Sequence, residues 1–145
     1  LMVVLGSTIA VVSGRINVAA GHTEAFAFLA IPAGDLLTFA VLVAAALAYR
    51  RRPDVHKRLM FLATVSLLNA AFARWPLAIV SDRPATYFAT ADLLILAALG
   101  QDLRQRRRPH PATLWGGVFL VASQVGRLAV APTHLWLVFA RAILG

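Results

Sequence analysis

The chain alternates between long apolar runs and short polar breaks. Apolar stretches cover residues 1–14, 25–49, 59–80, 84–103, 111–131 and 135–144, and charged or helix-breaking residues collect between them. A helix needs about 20 mostly apolar residues to cross a bilayer. By that measure the four segments 25–49, 59–80, 84–103 and 111–131 predict full spans. Segment 1–14 predicts a span lacking its beginning, and 135–144 predicts a clipped last span or an interfacial helix. Apolar residues run all round these segments, as in helices that lipid solvates. Helix is the economical choice, because backbone groups in hydrocarbon must be satisfied within the segment. The expectation is an all-α, polytopic transmembrane bundle of five to six spans, forming one transmembrane domain over 1–145.

Composition supports this class and removes others. Hydrophobic residues make up 60% of the chain and charged residues 14%, against about a quarter charged in an ordinary soluble domain. Mean hydropathy is +0.76. There is no cysteine, which excludes disulfides, thiolate metal sites, iron–sulfur clusters, covalent haem attachment and cysteine nucleophiles. Leu1 begins inside an apolar run with no basic region or cleavage site before it. No signal peptide is read there, and the chain is expected to be the C-terminal part of a longer protein. The Arg-over-Lys bias and the Ala and Leu richness fit a bacterium with a GC-rich genome.

Charge adds an orientation. Nine of the fourteen cations fall in two segments, Arg50 to Arg58 and Arg104 to Arg108, whereas loops 15–24 and 81–85 carry only Arg15 and Arg83. Short loops rich in Lys and Arg stay on the cytoplasmic side. Loops 50–58 and 104–110 are therefore expected in the cytoplasm, and the protein in a bacterial cytoplasmic (inner) membrane. The lipid bilayer is the expected partner, with anionic headgroups meeting the two basic clusters at about 1 kcal/mol per cation. Nucleic acid is not, because each cluster is a short loop between two spans. Other membrane subunits are further candidate partners.

The spans also repeat. "LMVVLGSTIAVVSGR", "LMFLATVSLLNAAFAR" and "LWGGVFLVASQVGR" each open on Leu-Met or Leu-Trp and end in Arg15, Arg74 or Arg127. "GDLL" at Gly34 to Leu37 matches "ADLL" at Ala91 to Leu94, and each precedes a basic cluster, "RRRPDVH" or "RRRPH". The unit is a helical hairpin of two spans, so its copies keep one orientation.

Ionisable residues inside a span are expensive and should face protein or water. At about 1.5 Å per residue, Asp92, Arg74 and Arg127 reach the outer half of a hydrocarbon core about 30 Å thick, and Asp35 sits nearer the middle. Arg–Asp pairs are expected: Arg74 with Asp92 and Arg127 with Asp35, or the crossed choice. The Arg fork suits a carboxylate. Asn69, Gln124, Ser66, Ser123 and Thr38 are candidates to complete an intramembrane polar belt. Structural attachment between helices is the favoured role, ahead of a proton or ion path.

Four histidines lie near helix ends. His56 and His110 follow the basic clusters, and His22 and His134 lie on the opposite side. Two per leaflet suggests bis-histidine haem ligation, which makes His56 and His110 the candidate cofactor ligands. The favoured role is nevertheless interfacial, since no span holds a central histidine. No catalytic constellation and no metal site is read.

At "RRRPDVHKRLMFLATVSLLNAAFARWP" and "HPATLWGGVFLVASQVGRL" the chain resembles a family of uncharacterised bacterial multi-pass membrane proteins that share a His-Lys-Arg-Leu-Met motif. The resemblance runs from about Phe28 to Arg141. It implies about two further spans before Leu1, carrying more histidines, and a loose kinship with small haem-binding membrane proteins. The functional expectation is a non-enzymatic scaffold or accessory component. The alternatives are a redox protein binding haem or quinone near His56 and His110, and a small transporter using Asp35 and Asp92.

Overall fold

The structure, a computed structural model, describes residues 2–19, 30–72 and 84–144. Among them every regular element is an α-helix: α1 (Met2–Ala19), α2 (Ala30–Ala48), α3 (Pro53–Phe72), α4 (Pro84–Arg106), α5 (Pro111–Val130) and α6 (His134–Leu144). The expected all-α class holds. Arg74, Arg83 and His22 lie outside the described residues.

The helix starts are written in the sequence. Pro53, Pro84 and Pro111 each occupy the first helical position, where the missing N–H removes no bond and the fixed φ suits a helix. Thr133 caps α6, its Oγ1 accepting from the Trp136 N–H at 3.4 Å. At the end of α4, Arg107 takes φ 56° and its N–H reaches the Leu103 carbonyl at 2.9 Å. That is the left-handed helix stop usually given to glycine. A side chain in this conformation costs about 1–2 kcal/mol. Arg107→Gly is therefore expected to stabilise the fold by about 1 kcal/mol, read as a rise in the midpoint of detergent-monitored unfolding.

Among the described residues two helices, Ala30–Ala48 and Pro111–Val130, are long and apolar enough to cross a membrane, and 33% of each is buried. Five to six such helices were expected from the sequence. Residues 73–80 of the expected span 59–80 lie outside the described residues, α6 has 11 residues, and α3 and α4 carry polar residues within their helical length. The first two turns of α3 hold Asp54, His56, Lys57 and Arg58, and the last turns of α4 hold Gln101, Asp102, Arg104 and Arg106. The apolar part of α1, Val3–Asn17, is shorter than a span.

The described residues form two compact units. Unit 2, residues 38–122, is built from most of α2, all the described parts of α3 and α4, and the first half of α5. Its core joins Leu42 and Ala46 of α2, Leu59, Leu62, Ala63 and Val65 of α3, Ala91 and Ile95 of α4, and Leu120 of α5. Helices α3 and α4 run antiparallel, since Asp54 near the start of α3 meets Arg106 at the end of α4 at 3.3 Å. Helix α5 reaches both through adjacent glycines. A Cβ on Gly116 would run into Leu62 of α3, and one on Gly117 would sit 2.8 Å from Ile95 of α4. The Gly-Gly pair thus supplies the close approach that small residues allow between helices.

Unit 1, residues 1–37 and 123–145, contains α1, the start of α2, the end of α5 and α6. Here α1 packs against α6, and Gly6 of α1 receives the side chain of Leu36.

Apolar side chains face outward on many turns. Ile9 and Ile16 of α1, Leu37 of α2, Leu93 and Leu96 of α4 and Val125 of α5 are among those exposed. Hydroxyls along the helices turn inward on their own backbone: Ser7 donates to the Val3 carbonyl, Thr8 to Val4, Thr64 to Met60 and Thr90 to Thr86. Such back-bonding satisfies a hydroxyl without any partner from another helix.

Candidate functional site

Two buried ion pairs organise the charged residues, one in each unit. In unit 1, Arg127 of α5 donates through a terminal nitrogen to Asp35 of α2. Both side chains are less than a tenth exposed. The guanidinium is held at two further points, Nε to the Ser123 carbonyl and a second terminal nitrogen to Ser123 Oγ, each at 3.0 Å. The arginine stem can reach the carboxylate because residue 34 is glycine. A Cβ there would overlap the Arg127 side chain and lie 3.0 Å from its Nε. Gly34 and Asp35, adjacent in sequence, therefore supply the clearance and the counter-charge for one arginine.

Of the two pairings the sequence leaves open, this is Arg127 with Asp35. Arg74 lies outside the described residues. Asp92 is half-buried in α4, Asn69 is fully buried in α3, and Gln124 is buried in α5. Thr38 is buried too. Ser66 Oγ donates to the Ala63 carbonyl of its own helix at 2.7 Å. Of the sequence-predicted belt, the structure thus brings together Asp35, Arg127 and Ser123.

The second pair lies in unit 2, at the end where the basic loops meet. Arg58 of α3 engages both oxygens of Asp102 of α4, with Nε at 3.4 Å and a terminal nitrogen closer still. Asp102 is 4% exposed. Its Oδ2 also accepts the Thr113 hydroxyl at 2.7 Å and the His110 N–H at 3.3 Å. One carboxylate thus ties α3, α4 and the start of α5. Arg58 also donates to the Asp54 carbonyl at 2.9 Å. Reading the sequence alone misses this node, because Arg58 is counted among the orientation charges and Asp102 is overlooked among arginines. The available signal was a lone acid at the end of a span, which must find a donor if buried.

Around this node lies a more exposed set. Asp54 accepts from Lys57 at 3.3 Å and from Arg106 at 3.3 Å. Its carboxyl is held below the ordinary value first by the hydrogen bond from Arg106 and then by that from Lys57. The contribution is present above pH 3.8 and fades as pH falls through the lowered value. Because these groups are exposed, the pairs add little stability; the Asp54–Arg106 contact marks where the start of α3 meets the end of α4.

The two candidate ligand histidines have backbone partners. His56 Nδ1 donates to the Ala46 carbonyl at 2.7 Å. The Arg50 N–H goes to Leu47 instead, so His56 satisfies a carbonyl in the last turn of α2, one of the groups every helix end leaves open. His110 does the reverse. It precedes Pro111, and its Nδ1 accepts the Ala112 N–H at 3.1 Å, capping the start of α5. The two also differ in register: His56 stands at the fourth position of α3, and His110 just ahead of α5. The two histidines therefore hold different positions relative to their helices.

These bonds test the fit of a haem. A ligating imidazole typically donates one N–H to a carbonyl and binds metal through the other nitrogen, which His56 satisfies. His110 does not, because accepting through Nδ1 places its proton on Nε2. Neither histidine lines the cleft described below. Among the described residues no group of three or more His, Asp or Glu is placed to hold a metal ion. The residues present do not fit a bis-histidine haem. A transporter reading meets a related difficulty, since Asp35 is committed to Arg127.

His110 carries a pH dependence of its own. Burial lowers its pKa from 6.5, with Arg58 and Arg106 adding to the shift and Asp102 and Asp54 opposing it. The unfolded chain then binds more protons between the lowered value and 6.5, so stability rises with pH across that window and is lost as pH falls below 6.5. His110→Asn keeps a capping acceptor and removes the titration. The fall in unfolding midpoint between pH 8 and pH 5.5 is expected to be smaller in this variant than in the parent protein. An equal fall would show that His110 binds its proton equally well in the folded and unfolded chains.

A cleft of about 570 Å³ opens between α3 and α4 beside the second ion pair. Lys57, Arg58, Gln101, Asp102, Gln105 and Thr113 line its polar end. Phe61, Leu94, Ala97 and Ala98 line the rest. No family model, curated protein or solved structure matches this chain.

Proposed function

We propose that this chain is a polytopic, non-enzymatic component of a bacterial cytoplasmic membrane, a helical-hairpin scaffold or accessory subunit whose basic loops face the cytoplasm. The observation that carries the reading is a combination of exposed apolar helices and gathered charge. Two spans' worth of apolar helix are left largely exposed, while both basic loops are drawn to the same end through Asp54 and Arg106. Exposed apolar helices ask for lipid, and basic loops on one side ask for the cytoplasmic face. The two buried ion pairs support an architectural role, because each joins side chains of two different helices. The resemblance to bacterial multi-pass membrane proteins points the same way.

The absence of cysteine makes the test direct. Single cysteines replace Arg51, Arg108 and Pro132, and each is probed with a membrane-impermeant maleimide. Positions 51 and 108 are expected to label in inverted vesicles and not in intact spheroplasts. Position 132, beyond the far end of α5, is expected to do the opposite. Recovery in the soluble fraction, or labelling of 51 and 108 from outside, would overturn the reading.

A further inference from the structure

We infer that the cleft between α3 and α4 is a seat for one anionic glycerophospholipid, its phosphodiester at Lys57 and its acyl chain over Phe61 and Leu94. The inference rests on the membrane reading above and deepens it, from a diffuse attraction of headgroups to basic loops to a single built site.

The chemistry of the cleft is graded along its length. Helices α3 and α4 are antiparallel, so the start of one and the end of the other meet at the basic end. On α4 the lining residues Leu94, Ala98, Gln101 and Gln105 fall on one face, at helical spacing. They span roughly 16 Å at 1.5 Å per residue. The carboxamides are at the basic end and the apolar residues lie deeper. On α3, Lys57 and Phe61 are one turn apart on the same face and repeat the order, cation outside and ring inside. Ala97 and Ala98 leave the room that larger side chains would fill. A free phosphate would use the outer end alone, and an uncharged hydrocarbon the inner end alone. An amphiphile with a negative head uses both.

Charge at the mouth has the right sign. Arg58 and Asp102 neutralise each other, and the Asp102 oxygens are turned to Arg58, Thr113 and the His110 N–H. They are therefore committed within the protein rather than presented to an incoming anion. Asp54 is one carboxylate shared by two cations, Lys57 and Arg106, so the rim keeps a net positive charge. The Lys57 side chain is 66% exposed, so it can exchange its contact with Asp54 for a phosphate. Gln101 and Gln105 add neutral amide donors for phosphate or ester oxygens. A volume of about 570 Å³ is within the range of small-molecule sites and suits part of a lipid, with the remaining chain left in the bilayer.

The test is native mass spectrometry of the full chain in a neutral detergent, with phosphatidylglycerol or phosphatidylcholine of the same acyl chains. One phosphatidylglycerol is expected to be retained per chain, in preference to phosphatidylcholine. Lys57→Gln removes the head contact, and Ala97→Trp fills the exposed wall of the apolar floor. Each is expected to weaken retention by about tenfold or more. Arg51→Gln, a cation outside the cleft, is expected to change it by no more than about fivefold. Equal retention of the two lipids, full retention by Ala97→Trp, or displacement of the lipid by glycerol phosphate alone would each overturn the proposal. Circular dichroism identifies a variant that has not folded, and the comparison of the two lipids on the parent protein then decides. Since binding is read in detergent, its failure alongside the expected cysteine labelling would remove the lipid seat and leave the membrane topology standing.

Discussion

Asp35→Ala is expected to destabilise the protein by about 3–5 kcal/mol, the cost of leaving a buried charge without its counter-ion. Arg127 would remain in place, less than a tenth exposed, with two of its nitrogens still turned to Ser123 and the Asp35 counter-charge gone. Arg127→Ala strands Asp35 in the same way. The double variant Asp35→Leu with Arg127→Met is expected to recover most of either loss, because replacing a buried pair by apolar groups of similar size is often neutral or better. Unfolding in mixed micelles, followed by helicity, provides the measurement. If the double variant is as unstable as the singles, the pair does not act as a unit. A reciprocal charge swap is a harsher test here. The arginine stem fits where Gly34 leaves it room, and a swap would move that stem to the other helix. Gly34→Ala should itself lower stability by about 1–3 kcal/mol through overpacking, since a Cβ would press on the middle of a pinned side chain rather than its free end.

The second large effect is expected at Asp102. Asp102→Ala removes the acceptor for Arg58, Thr113 and the His110 N–H together, and a loss of about 3–5 kcal/mol is expected. Arg58→Ala should cost less, because Asp102 would keep the Thr113 hydroxyl and the His110 N–H, and a carboxylate holding two donors is partly satisfied. The order of the two single variants is therefore a sharper prediction than either magnitude. A double-mutant cycle between positions 58 and 102 should give a coupling of about 0.5–3 kcal/mol, as for residues in one network. Additive losses would mean that the short contact in the folded chain carries no energy. Asp102→Ala should also free the start of α5, seen as faster hydrogen exchange at the Ala112 and Thr113 amides.

Much of the helical layout was legible because its cause is local. Prolines at 53, 84 and 111 set helix starts wherever the surrounding apolar run permits one. Nine of the fourteen cations crowd into two short segments between apolar runs. An acid and an arginine within apolar runs demand a partner, so Arg–Asp pairing followed from cost, though not which arginine meets which acid. The limits were equally physical. Depth estimates put Asp35 nearer mid-membrane than Arg127, and it is the length of the arginine side chain, lying over Gly34, that closes the gap. Position along a helix says little about direction around it, so sequence did not decide between the alternative Arg–Asp pairings. The repeat suggested equivalent histidines, yet His56 closes the end of one helix and His110 opens another. A shift of a single turn between a loop and its helix is invisible in composition and changes which ring nitrogen holds the proton.

The sequence by itself determined that this chain is helical, where several helices begin, and that its charges concentrate in two short loops and a few costly positions within apolar runs. Those properties follow from transfer energies and backbone geometry, which act on residues near one another in the chain. Only the tertiary structure decided which charges meet. Asp102 acquired its role from Arg58, 44 residues away, and from Thr113, and Asp35 from Arg127, 92 residues away. The graded cleft between α3 and α4 likewise exists only because two antiparallel helices place a lysine beside two glutamines and a phenylalanine beside alanines. Pairing depends on the rotation of each helix about its own axis, and packing across the bundle sets that rotation, through contacts such as Gly116 with Leu62 and Gly117 with Ile95.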